Sequence, residues 1–122
     1  MRVMVLVKAT ADSEKGVMPN DWTVQMLAAM GRFNEELHQA GVLVAAEGLK
    51  PSSFGKRIAF DGPGRVVREG PFAPAHELVA GYWLWDVQDM DEALSWAMRC
   101  PNPMPVPSEI EIRPLYESTD LP

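Results

Sequence analysis

Val79-Ala-Gly-Tyr-Trp-Leu-Trp-Asp-Val87 is the most apolar stretch of the chain, with Tyr82, Trp83 and Trp85 falling within four positions. Aromatic and β-branched residues favour strands. Successive strand side chains point to opposite faces, so Tyr82 and Leu84 point one way and Trp83 and Trp85 the other. Both sets are bulky and apolar, so both faces of this strand need cover. Arg2-Val-Met-Val-Leu-Val-Lys8 has the same character: Val3, Val5 and Val7 alternate with Met4 and Leu6.

Working outward from these two strands, residues 9–20 contain Asp12, Ser13, Gly16 and Pro19 and are expected to form a loop. Met26, Met30, Phe33, Leu37 and Ala40 recur at spacings of four and three. That single apolar stripe predicts a helix over 21–40, capped by Asn20 or Asp21 and stopped by Gly41. Residues 42–49 read as a second extended segment, broken at Pro51. Residues 56–60 and 65–68 flank Asp61-Gly-Pro-Gly64, a turn composition that predicts a hairpin. Residues 69–77 form a Gly- and Pro-containing loop. A second helix is predicted over 89–99, with Asp89 and Glu92 at capping-box spacing, Ala93, Leu94 and Ala97 facing inward, and Pro101 ending it. Residues 101–107 are a proline-rich loop. Residues 109–115 alternate Ile110 and Ile112 with charged residues and close the pattern as a strand. The domain is expected to span 1–117, with 118–122 as a loose tail.

The order is β-α-β, hairpin, β-α-β. It predicts an α+β fold, with a ferredoxin-like antiparallel sheet and two helices on one face. Those helices leave the second face of the two-sided strands bare. The expectation is a homodimer in which a second copy covers it; the alternative is that residues 9–20 and 101–107 fold over it.

Composition narrows the partners. A chain of 122 residues fits one domain. Its net charge of −6, without a basic cluster, argues against nucleic acid. No stretch approaches the roughly 20 apolar residues of a membrane helix, and residues 3–7 are too short for a secretion signal. Cys100 is the single cysteine, so no internal disulfide forms, which points to the reducing cytoplasm. Followed by Pro101 and with no histidine close in sequence, Cys100 reads as a small apolar residue at a helix end.

Glu69-Gly-Pro-Phe-Ala-Pro-Ala-His-Glu77 resembles the DGPFAETKE signature of the YCII-related (DGPF) family. Gly70, Pro71, Phe72, Ala73 and Glu77 match it; Glu69 stands for its Asp, and Pro74, Ala75 and His76 replace its Glu, Thr and Lys. Phe33-Asn-Glu-Glu-Leu37, Ala40-Gly-Val-Leu43, Glu47-Gly-Leu49 with Pro51-Ser, Leu78-Val-Ala-Gly-Tyr-Trp83, Met90-Asp-Glu-Ala-Leu94 and Glu111-Ile-Arg-Pro114 are similar to further parts of that family, in order. The resemblance implies a dimeric α+β barrel, two ferredoxin-like sheets packed face to face, with a cleft near the signature loop. Some relatives are lyase-like enzymes for which a His–Asp pair is the proposed acid/base machinery. Here Asn20-Asp21-Trp22 and Cys100-Pro101 occupy those two regions, so the pair is absent. Members of the DGPF branch also occur fused or adjacent to sigma factors, which implies a regulatory link as a further expectation.

Candidate chemistry centres on the signature loop. His76 is a candidate general acid/base, since a loop histidine beside carboxylates has its ring oriented and its pKa raised; the plainer reading is a solvated loop residue. His38 falls on the polar flank of the first helix. Glu69 and Glu77 read either as paired carboxylates or as residues that set the loop's shape, and Arg65 and Arg68 as exposed hairpin charges. Gly70, Pro71 and Phe72, with Tyr82 and Trp83, are the candidate ligand-binding set; the alternative for the aromatic residues, including Trp85, is core or interface. Two distant histidines and one cysteine lack metal-ligand spacing, Asp12, Glu14 and Asp21 read as solvated carboxylates, and Gly62-Pro-Gly64 lacks the features of a phosphate loop. No cofactor is expected. Two functions follow: a small-molecule-binding or regulatory homodimer with a cleft near residues 69–77, or a cofactor-free lyase- or isomerase-like enzyme using His76. The missing His–Asp pair favours the first.

Overall fold

The alternation in the first strand is realised as β1 (Arg2–Lys8): Val3, Val5 and Val7 are buried and Met4 and Leu6 half-buried. The computed structural model describes residues 1–122. β1 is followed by α1 (Ala11–Lys15), α2 (Asn20–Gln39), β2 (Leu43–Gly48), β3 (Lys56–Asp61), β4 (Gly64–Glu69), β5 (Val79–Asp86), α3 (Met90–Ala97) and β6 (Ile110–Pro114). The main sheet has the order β2-β5-β1-β6, every neighbour antiparallel. Each β-α-β unit therefore leaves room for one strand of the other, which is the ferredoxin-like arrangement and makes the chain an α+β domain.

Register assigns the faces. Val3 pairs with Trp85 and Pro114, Val5 with Trp83 and Ile112, and Val7 with Gly81 and Ile110. This is the helix face, and its residues join Phe33 and Leu37 of α2 and Ala93 of α3 in one buried core. The Phe33 ring stands edge-on to Trp83, Trp85 and Trp96, with centroids 6.0, 6.2 and 6.4 Å away, the geometry aromatic quadrupoles prefer. Trp85 Nε1 is buried there without a hydrogen-bond partner, a standing cost of roughly 1–3 kcal/mol.

The opposite face holds Met4, Leu6, Tyr82 and Leu84, paired as Met4–Leu84 and Leu6–Tyr82. These four are half-buried and stand outside the buried core. The two loops expected as alternative cover go elsewhere: Met18 and Met104 pack into the core on the helix face. We call this side the open face.

Three local expectations are corrected. Residues 11–15 are a short helix rather than loop. Thr10 caps it, with Thr10 Oγ1 accepting from Ser13 N–H and Ser13 Oγ accepting from Thr10 N–H, a reciprocal box that serine completes in place of Glu or Gln. α2 starts one residue early, after Pro19, whose carbonyl accepts from the Thr23 N–H and hydroxyl; Asn20 and Asp21 lie inside it, where Asp21 favours the helix dipole. Leu94 is 53% exposed instead of facing inward, because α3 ends at Ala97 and buries only the stripe through Ala93. Gly41, at φ 72°, ends α2 as expected. In the tail, Ser118–Asp120 form a single 3-10 turn, and Glu117 accepts from the Arg2 N–H.

The β3–β4 hairpin forms as expected and stands apart as its own two-stranded sheet, exposed at every residue. Its base is fastened by Gly70 N–H donating to Gly55 O at 3.0 Å and by the Lys56–Glu69 ion pair. The Arg57 guanidinium also sits 3.9 Å from the centre of the Phe72 ring.

Candidate functional site

The pocket of interest opens on the helix face, at the end of the sheet where β2 leaves and β5 begins. Gly48 pairs with Gly81 and Ala46 with Trp83, so the floor has little side-chain bulk just where α2 passes over it. The space left is about 290 Å³, roofed by Met26, Leu27 and Met30, walled by Val7, Trp83 and Asn34, and closed at one end by Pro103 and Met104. Methionine and tryptophan give it an adaptable, polarizable apolar lining. The Trp83 indole N–H donates to Asn34 Oδ1 at 2.8 Å. Glu47 and Tyr82 also line it, but register turns their side chains toward the open face, so their backbone forms its edge.

Of the predicted site residues, this pocket gathers Tyr82 and Trp83. Glu69, Gly70, Pro71, Phe72, His76 and Glu77 are not among its lining. They form the segment immediately before β5, at the same end of the sheet. Glu69 pairs with Lys56. His76 and Glu77 lie exposed in a 3-10 turn over Ala75–Glu77, and neither side chain makes a hydrogen bond within the protein. His38 is exposed on α2, and Arg65 and Arg68 are exposed on the hairpin.

The loop is instead held by residues outside the predicted set. Ser52 donates its backbone N–H to Glu14 Oε1 at 2.9 Å and its hydroxyl to the same carboxylate. Ser52 Oγ in turn accepts from the Phe72 N–H at 2.9 Å. Glu14 on α1 thereby pins the turn after β2 and the signature loop together, so it is no solvated carboxylate. A β-carbon on Gly70 would lie 2.7 Å from the Ser52 carbonyl carbon and nearer still to its oxygen; only glycine fits there.

Cys100 lines a second, shallower cleft with Asn102, Ser108 and Glu109. Burial pushes its thiol up to about 11, leaving almost no thiolate at neutral pH. Native Cys100 is expected to react with iodoacetamide at pH 7 about 100-fold slower than an exposed thiol, since the thiolate is the nucleophile; labelling at the rate of the unfolded chain would contradict this. Because the unfolded thiol ionises first, as pH rises past its ordinary value of 9.0, Cys100 should also subtract stability between there and about 11.

Fold and pocket together define a ferredoxin-like α+β domain with an apolar cavity under its first long helix and a pinned signature loop beside it. Residues 1–119 match the family model of the YCII-related domain, and the chain belongs to that family. It is also similar to an uncharacterised protein of Rhizobium meliloti (strain 1021), 33% identical over 86 residues, which cover 69% of each chain. No helix is long and apolar enough to cross a membrane.

Proposed function

We propose that this chain is a small-molecule-binding homodimer. The observation that carries the ligand part is the Met26–Met30–Trp83–Met104 pocket, whose volume of about 290 Å³ lies at the lower end of ordinary ligand sites, roughly 300 Å³ and above. The second copy is supported by the open face, where Met4, Leu6, Tyr82 and Leu84 form an apolar patch that is only half-buried and stands outside the core. A two-fold axis would set this patch against itself. A regulatory role beside sigma factors, which the family resemblance implies, suits a binding domain, since it needs occupancy and not turnover. The lyase- or isomerase-like alternative has less behind it: His76 is exposed and lies outside this pocket.

Toluene is a suitable first probe, followed by the indole signal of Trp83 in nuclear magnetic resonance. A saturable shift is expected in the native protein. Met30→Phe, which fills the pocket, should weaken it, and His76→Ala should leave it unchanged. The opposite pattern would move the site to the signature loop and overturn this reading.

A further inference from the structure

The pocket under α2 contains one polar group whose orientation is settled by its partner. An indole N–H can only donate, so the side-chain oxygen of Asn34 must face Trp83, at 2.8 Å. The amide nitrogen then faces away from Trp83. Its two N–H groups have no acceptor within the protein; Asn34 is half-buried and lines the pocket, so this nitrogen is left accessible to a ligand at the pocket wall.

Charge and hydrogen bonding rank other ligands lower. No lysine, arginine or histidine lines the cavity, and its one carboxylate belongs to Glu47, directed to the open face. A carboxylate ligand would lose its hydration there without a counter-charge. A pure hydrocarbon would dry the Asn34 donors without pairing them, which is costly. We propose that the pocket takes a small neutral molecule with an apolar body and one carbonyl oxygen, which accepts a hydrogen bond from Asn34 Nδ2. This rests on the small-molecule-binding reading above. The volume of about 290 Å³ is close to twice the roughly 150 Å³ of an apolar cavity known to hold benzene, so a single ring bearing a ketone, ester or amide fits.

Three probes of nearly equal size separate the possibilities: acetophenone, ethylbenzene and benzoate, each titrated against native protein with the Trp83 indole N–H resonance as the readout. Acetophenone should bind about 5–10-fold more tightly than ethylbenzene, the worth of one hydrogen bond to an otherwise unpaired group, and benzoate should bind weakest. Asn34→Asp keeps the acceptor for Trp83 but removes both donors. It should reduce acetophenone binding about 10-fold and ethylbenzene binding far less. Asn34→Ala should erase the same preference and serves where the aspartate disturbs folding. Equal binding of acetophenone and ethylbenzene, or unchanged acetophenone binding in both variants, overturns the carbonyl assignment while the binding domain stands. No binding of any probe at millimolar concentration overturns both.

Discussion

Phe33→Ala is expected to destabilise the domain by about 3–5 kcal/mol, the usual cost of emptying a buried aromatic site. Phe33 is only 4% exposed and is the ring on which Trp83, Trp85 and Trp96 converge. It joins α2 both to the sheet and to α3, so neither helix can easily collapse into the space left behind. For a chain of this length the loss corresponds to a fall in Tm of roughly 10–20 °C, readable by circular dichroism. Phe33→Leu, which keeps most of the volume, should lose well under half as much. A loss below about 1 kcal/mol for the alanine variant would mean that the aromatic cluster is not the centre of the core.

Gly70→Ala carries the next largest expectation, about 2–4 kcal/mol, because overpacking against rigid backbone has no cheap relief. The added methyl meets the Ser52 carbonyl, and Ser52 is fixed in turn by Glu14 and Phe72. The loop must move, so the Phe72 amide should lose its hydrogen-exchange protection along with the fall in Tm. Gly31→Ala is the internal control. It lies in α2 with nothing within 4 Å of the added carbon, and there alanine should stabilise by about 0.5–1 kcal/mol. Equal effects at the two positions would refute the close approach.

These two residues also mark how far the sequence can be read. Phe33 is visible in the apolar stripe of α2, because a 3.6-residue period reports burial directly. The alternation in β1 and β5 likewise assigns both faces of the sheet from the residue pattern alone. The Glu14–Ser52 contact that pins the signature loop is not visible in this way, although both are polar residues in turn-rich segments. They lie 38 positions apart, and no local pattern encodes a contact of that range. α1 is hidden for a related reason: five residues show no periodicity, and a Thr-x-x-Ser cap looks like loop composition. The pocket escapes notice because it depends on an absence of side chains, with Gly48 set against Gly81 across two strands. Only register reveals that pairing. Asn34, inside a stretch that already resembles the family, offers a weak signal; its role needs the position of Trp83.

The hairpin shows the same limit from the other side. Its turn is plain in the sequence, yet nothing there foretells that Phe60 and Ile58 are left 72% and 46% exposed. A lone two-stranded hairpin is marginal in water. Like the open face, it is a surface that a second copy would shelter.

That second copy is the central claim, and the mass of the native protein reports on it directly. Light scattering at micromolar concentration should give about 27 kDa, twice the 13.5 kDa of one chain, and Leu84→Arg on the open face should halve it without unfolding the domain. A native mass of 13.5 kDa would contradict the homodimer.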